Sequence, residues 1–222
     1  MDVQNPYALI GLGHLLYDFK EYHGALHYWE KMLEENKASV DIRVLTSIGN
    51  CHRKLKSYEQ GLRFFEMALQ QESQNFYALF GLADCYRGLH QHLRSLEYWN
   101  QILNQDPRNK LILTRAADAY RKIGESDKAI DYYNRALNVE FDSYAVLGLA
   151  IVDKEQGKYD EAILSLERLI QQDPRNYRFY LELADCRLAN QEKQKAVEVL
   201  REFLNHGIHN SEITGLLEKL SA

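Results

Sequence analysis

A six-residue segment occurs twice in this chain, and the distance between its two copies constrains the fold more than any other feature of the sequence. Residues 104–109 read NQDPRN and residues 171–176 read QQDPRN. Their separation is close to twice 34 residues. A period near 34 is typical of solenoids in which each repeat is one supersecondary unit, because such a unit cannot bury its apolar face alone.

A register of six units aligns the same residue types along the whole chain. The predicted units are 6–39, 42–75, 76–109, 110–143, 143–176 and 177–210. Small residues occupy position 8 of each unit: Gly13, Gly49, Ala83, Ala117, Ala150 and Ala184. Small residues also occupy position 20: Ala25, Gly61, Ser95, Ala129, Ala162 and Ala196. Large apolar residues occupy position 24, and aliphatic residues occupy position 28.

These columns predict two antiparallel helices in each unit, with small residues where the backbones approach and bulky residues beside them. Gly124 and Gly157 are expected in the turns between the two helices. Each Asp-Pro segment should end a second helix, because proline lacks the amide hydrogen needed to continue it. Asn109 and Asn176 are then expected to cap the helices that follow. Between the first two units, Ser39 or Asp41 is the expected cap.

The columns resemble the tetratricopeptide repeat over residues 6–210. The resemblance implies an all-α fold, a right-handed α-α superhelix of six helical hairpins within a single domain covering residues 1–222. Residues 211–222 are predicted to form a capping helix. Ser211 is its expected N-cap, and Ile213, Leu216 and Leu217 lie on its apolar face.

Charge and hydropathy narrow the range of partners. The net charge is −5 at pH 7, and acidic and basic residues are interleaved along the chain. A surface that tracks phosphates needs an excess of Lys and Arg, so nucleic acid is not an expected partner. No apolar run approaches the roughly 18 residues of a membrane span, and the first residues do not resemble a signal peptide. We expect a cytoplasmic location for this sequence. The sequence is also compatible with being a segment of a longer protein.

The cysteines and histidines suggest packing and surface roles. Cys51, Cys85 and Cys186 all fall at position 10, which is apolar in the other units, so we predict buried free thiols without a disulfide. His23 and His27 are four residues apart, a spacing that can bind a metal. Gly24 follows His23 where a zinc protease has its catalytic Glu, so surface histidines are favoured.

The sequence predicts no enzyme. It contains no glycine-rich phosphate loop, no nucleophile elbow and no paired-carboxylate motif, and its glycines are assigned to helix contacts and turns. No catalytic residue, cofactor or metal site is therefore predicted.

The resemblance assigns positions 2, 5, 9, 12 and 13 to the concave wall and so implies a partner-binding groove. Arg53, Arg87 and Arg121 recur at position 12, with Lys154 at the same position of the next unit, and we predict that they stack into a basic ladder favouring an acidic protein segment. The predicted groove residues are Tyr7, His14, Asn50, Arg53, Lys54, Tyr77, Phe80, Asp84, Arg87, Asp118, Arg121, Lys122, Tyr144 and Lys154.

Two alternatives stay open. Asp84 with Arg87, and Asp118 with Arg121, are three residues apart on a helix and could simply form ion pairs on a solvated face. The favoured function is a scaffold or adaptor that binds a partner segment in the groove. The alternative is a structural module that associates with itself into a homo-oligomer.

Overall fold

The computed structural model describes residues 5–35 and 40–221, and within these ranges all regular secondary structure is helical. Consecutive helices pair as antiparallel hairpins. The thirteen helices of the described ranges are α1 (Pro6–Asp18), α2 (Tyr22–Glu35), α3 (Ile42–Lys54), α4 (Tyr58–Gln71), α5 (Phe76–Gly88), α6 (His92–Gln105), α7 (Lys110–Lys122), α8 (Ser126–Val139), α9 (Ser143–Glu155), α10 (Tyr159–Gln172), α11 (Tyr177–Ala189), α12 (Lys193–Asn205) and α13 (Ser211–Ser221). The predicted fold class, an all-α solenoid of six hairpins and a C-terminal helix, is confirmed.

Side-chain caps fix the start of the first helix in several hairpins. Asn109 accepts a hydrogen bond from the backbone N–H of Ile112, and Asn176 accepts one from Arg178, as predicted. Asp41 caps α3 by accepting from the backbone of Arg43, whereas the alternative cap Ser39 lies outside the described residues. Each such bond satisfies an amide that has no partner within the helix.

One turn conformation recurs inside every hairpin. The residue at position 15 adopts a left-handed backbone with φ between 58° and 82° in all six turns. Gly124 and Gly157 are there as predicted, but the other four turns use residues with a Cβ, for which this conformation is costly. Those four residues are Lys20, Lys56, His90 and Gln191.

The columns of small and large residues meet in the core as predicted. An added Cβ on Gly13 would lie 2.2 Å from the Trp29 ring, so position 8 must be small where position 24 is bulky. Ala129 and Tyr133, at positions 20 and 24 of the fourth unit, are fully buried. At position 28, four of the six aliphatic residues are only partly buried, and position 27 beside it is more deeply buried.

The hairpins divide into two compact units between Pro107 and Arg108. Unit 1 contains α1 to α6, and unit 2 contains α7 to α13. In unit 2, Ile213 of α13 is fully buried, and Leu216 and Leu217 pack against the same core. The helix therefore covers the last hairpin as predicted. Its N-cap is Asn210 rather than Ser211, because the Asn210 side chain accepts from the backbone amides of the first turn.

None of the described helices combines the length and the apolar character needed to cross a bilayer. The prediction of one continuous domain over residues 1–222 stays a prediction.

Candidate partner-binding face

All the predicted groove residues lie on the first helices of their hairpins, and they fall into two sets according to the unit that carries them. The unit 1 face consists of Tyr7, His14, Asn50, Arg53, Lys54, Tyr77, Phe80, Asp84 and Arg87. The unit 2 face consists of Asp118, Arg121, Lys122, Tyr144 and Lys154.

Asp84 is the centre of the unit 1 face. Only 7% of this residue is exposed, and its carboxylate accepts from two guanidinium groups. Arg53 Nη1 lies 2.6 Å from Asp84 Oδ2, and Arg87 Nη2 lies 2.7 Å from Oδ1. Burial alone would raise the pKa of Asp84, but the two arginines outweigh it and the pKa is lowered. The carboxylate therefore stays charged and joins α3 to α5.

Arg53 is held from three sides. Besides the Asp84 pair, its Nε donates to Asn50 Oδ1 at 3.2 Å. Its guanidinium carbon lies 5.8 Å from the centre of the Phe80 ring, within the range of a cation–π contact. Phe80 in turn meets the Trp99 ring edge-on at 5.2 Å. Arg53 is thus fixed within the wall, whereas Arg87 is more exposed and reaches toward solvent.

Several other residues of the unit 1 face are exposed. Lys54 is exposed and has no ion-pair partner in the part of the chain that the structure describes. Tyr7 and Tyr77 are also largely exposed. His14 is exposed and contacts the Trp29 ring edge-on at 5.1 Å. With three cations and one carboxylate, the unit 1 face has an excess of positive charge next to aromatic surface.

The unit 2 face pairs its cations with carboxylates of the following hairpin. Arg121 Nη1 lies 2.9 Å from Glu155 Oε1. Lys154 Nζ lies 3.1 Å from Glu182 Oε2 and also bonds to Asp185. Burial would lower the pKa of Lys154, but these two carboxylates outweigh it and the pKa is raised. Both cations therefore stay charged and are neutralised within the chain.

The proposed i,i+3 pair of Asp118 with Arg121 is replaced by other contacts. Asp118 Oδ1 accepts from the hydroxyl of the buried Tyr133 at 2.6 Å. Burial and the nearby Asp118 carboxylate raise the pKa of Tyr133, so its hydroxyl remains a donor. Lys122 and Tyr144 are exposed. The three cations of this face meet four carboxylates, so no excess positive charge is left.

Sequence reasoning missed the partners of these basic residues. Glu155 and Glu182 were not among the predicted groove residues, although each neutralises a predicted cation. Glu155 and Glu182 lie at positions 13 and 6 of their units and carry no such repeat signal. For two other pairs the repeat register supplies one, because a base at position 12 is followed by an acid at position 9 of the next unit. Arg53 with Asp84, and Lys154 with Asp185, both follow this rule and are 31 residues apart.

The cysteines are free and buried, as predicted. Burial raises the pKa of Cys51 and of Cys85 to about 12, so both thiols stay protonated at neutral pH. His23 and His27 are exposed on α2. Across residues 5–35 and 40–221, no group of three His, Cys, Asp or Glu side chains is arranged to hold a metal ion.

Family models of the tetratricopeptide repeat match two stretches of the sequence, residues 80–145 and residues 154–220. Together these stretches cover more than half of the chain, and they include helices of both units. No protein with curated annotation matches the sequence significantly.

Solved structures of tetratricopeptide repeat proteins share the fold. One from Parabacteroides merdae is 21% identical, with a TM-score of 0.75 and coverage of 99% of this chain and 100% of its own. A thermophilic protein of this family from Thermus thermophilus is 23% identical, with a TM-score of 0.61 and coverage of 84% and 99%. YrrB, described as having an unusual peptide-binding site, is 20% identical, with a TM-score of 0.57 and coverage of 80% and 91%.

Proposed function

We propose, because the chain belongs to the tetratricopeptide repeat family, that it acts as a non-catalytic adaptor whose unit 1 face binds a segment of another protein. Repeats of this family generally serve as protein-interaction modules. The observation that carries the proposal is the excess of positive charge on the unit 1 face beside exposed aromatic side chains. The fold similarity to YrrB, described as having a peptide-binding site, supports a peptide as the ligand.

The chemistry of the unit 1 face favours an acidic segment with aromatic or aliphatic residues. Arg87 keeps 40% of its side chain exposed while paired with Asp84, and Lys54, which follows Arg53 in the sequence, is exposed as well. Both can donate to carboxylates, and an arginine can do so through two parallel bonds. Tyr77 offers a ring surface for apolar contact at low conformational cost. The same reasoning gives the unit 2 face no preference for an anion.

Selection of peptides by display on the intact chain tests this proposal. We expect the selected peptides to be enriched in Asp, Glu and aromatic residues, and their affinity to fall as salt is added, because the exposed charges are screened. A second selection on a Tyr77→Ala variant should lose the aromatic enrichment and keep the acidic one. Selected peptides without acidic enrichment, or with affinities insensitive to salt, would contradict the proposal.

Self-association is the competing function, and the same sample separates the two. Light scattering of the chain with and without a selected peptide reports whether the peptide binds the chain or disperses an assembly. The proposal requires a complex of chain and peptide at a fixed ratio whose formation does not depend on the oligomeric state.

A further inference from the structure

One side of α1 is exposed although its equivalents on other first helices are buried. Leu12 is 38% exposed, Leu15 is 53% exposed, and Phe19 at the C-cap is 72% exposed. Ala8 is also exposed. These residues occupy positions 3, 7, 10 and 14 of the repeat. The residues at positions 3, 7 and 10 of α3 and α5 are almost completely buried: Val44, Ile48, Cys51, Ala78, Leu82 and Cys85.

The glycine at position 6 of a first helix shows which side chain packs against this side of the helix in other hairpins. An added Cβ on Gly81 of α5 would meet the Phe65 ring of the preceding hairpin at 2.2 Å, and one on Gly148 of α9 would meet the Tyr133 ring at 2.2 Å. Gly11 occupies the same repeat position on α1, and an added Cβ there would meet nothing within 4 Å. Among the described residues, nothing fills the space in which a bulky side chain packs elsewhere in the molecule.

We name this surface the N-terminal edge: Ala8, Gly11, Leu12, Leu15 and Phe19. Ala8, Leu12, Leu15 and Phe19 lie on a different side of α1 from Tyr7 and His14, and Gly11 lies at the border between this surface and the unit 1 face. Ala8, Leu12, Leu15 and Phe19 follow intervals of four, three and four residues, which is the spacing of a coiled-coil seam.

This spacing reads the same in both directions, so the edge is complementary to itself. When two α1 helices pair in antiparallel fashion, Leu12 of each copy faces Leu15 of the other. The small Ala8 then faces the large Phe19, and Gly11 leaves room for a close approach of the backbones. A surface that complements itself under a two-fold axis is what an isologous dimer requires.

The charge of α1 permits this approach. The helix contains no Lys, Arg or Glu, and Asp18 is its only charged residue other than a histidine. In the antiparallel pair, the two Asp18 residues stand about 13 Å apart along the helix axis, at 1.5 Å per residue. Repulsion between them is therefore weak at physiological salt. A second α1 helix fits this surface, because it is mostly apolar and carries a single carboxylate.

The opposite end of the chain cannot supply the covering surface. The last hairpin is covered by α13, whose Ile213 is fully buried. Head-to-tail stacking of copies would require that helix to leave. From the exposure of the N-terminal edge, its self-complementary spacing and the closure of the last hairpin, we infer that two copies of this chain associate through their α1 helices into a two-fold dimer.

The size of the edge limits the area that this dimer can bury. An exposed aromatic side chain contributes about 150–250 Å². With Phe19, the two leucines and their neighbours, each copy buries on the order of 400 Å², about half of the roughly 800 Å² per partner in a standard interface. An interface of this size is typical of weak, transient complexes, so the dimer is expected to be reversible.

Sedimentation equilibrium of the full chain from about 1 to about 500 µM tests the inference, because a weak, reversible dimer is detected by its increase with concentration. The chain should pass from monomer to dimer without larger species. Leu15→Glu should raise the dissociation constant at least about a hundredfold, since the buried charge enters the two-fold interface twice. Leu164→Glu, at an exposed leucine of α10, is the matched control and should leave the dimer unchanged. A monomer over the whole range, or equal effects of both variants, would overturn the inference.

Crosslinking gives an independent test that does not depend on a disruptive variant. Because the three native thiols are buried, a Leu15→Cys variant has one accessible thiol. A bismaleimide spanning about 8 to 10 Å, the spacing of packed helices, should join two copies of this variant. Leu164→Cys should remain uncrosslinked at the same concentration. Circular dichroism of both variants checks that the fold is kept. Crosslinked Leu164→Cys, or uncrosslinked Leu15→Cys at concentrations where a dimer forms, would overturn the assignment to α1.

Discussion

Unit 1 and unit 2 carry basic residues at the same repeat positions, but the two faces use them differently. In unit 1, Arg53 and Arg87 share the single carboxylate of Asp84, and Lys54 adds a further exposed charge. In unit 2, Arg121 has its own carboxylate and Lys154 has two. The comparison shows that the net charge of a face depends on the acidic residues that the next hairpin contributes, and not only on the basic residues at positions 12 and 13.

The largest expected effect is on stability, when each of the two aspartates at position 9, Asp84 and Asp118, is replaced by alanine. Asp84→Ala should lower the free energy of unfolding by about 2 to 3 kcal/mol, because it leaves two arginines, one of them mostly buried, without a counter-charge. Asp118→Ala should cost about 1 to 2 kcal/mol, because the buried Tyr133 hydroxyl loses its acceptor. Urea unfolding of both variants measures the difference. A smaller loss for Asp84→Ala than for Asp118→Ala would break the comparison.

The pH dependence of the Asp84 contribution follows from its lowered pKa. The carboxyl binds protons less readily in the folded chain than in the unfolded chain, where the pKa is about 3.9. Its contribution is therefore fully present above the unfolded pKa and is lost as the pH falls through the folded value. The difference in unfolding free energy between the wild type and Asp84→Ala should stay constant from about pH 8 to pH 5 and shrink below about pH 4. A difference that grows on acidification would contradict the assigned pairing.

Substitutions in the turns are expected to change the free energy of unfolding by smaller amounts, and in opposite directions in the two units. Lys56 and His90 of unit 1 hold a left-handed backbone that glycine adopts without strain, whereas Gly124 of unit 2 is already suited to it. Lys56→Gly should raise the free energy of unfolding by about 0.5 to 1 kcal/mol, and Gly124→Lys should lower it by about 1 kcal/mol. Thermal melts of the two variants should shift in opposite directions. A destabilised Lys56→Gly variant would show that the Lys56 side chain has a stabilising contact that outweighs the backbone strain.

Much of the fold was predictable because its signals are short-range or periodic. The repeat columns predicted the hairpins, and the turn glycines and the Asn109 cap follow from residue chemistry at a known position. The N-cap of α13 was wrong by one residue, since Asn210 and Ser211 are both good caps and only geometry separates them. The four turns without glycine were missed, because their residue types do not mark a left-handed backbone.

The helices that carry the predicted groove residues were predictable, but most of the ion pairs of these residues were not. All the predicted groove residues lie on first helices, yet apart from Arg87 with Asp84 the ion pairs of the faces join different hairpins. Arg53 and Asp84 are 31 residues apart, and only the stacking of α3 on α5 brings them together. The exposed side of α1 was likewise hidden, because Leu12 and Leu15 fit the packing columns of every other repeat.

The central claim is that the partner is attracted by the excess positive charge of the unit 1 face and not by the unit 2 face. Lys54 and Lys122 test it most directly, because both are exposed and both occupy position 13 of their units. Calorimetric titration with a display-selected acidic peptide should show that Lys54→Glu weakens binding about three- to fivefold at low salt, in line with about 0.5 to 1 kcal/mol for an exposed charge, whereas Lys122→Glu leaves the affinity unchanged. An equal loss in both variants, or a loss only in Lys122→Glu, would contradict the account.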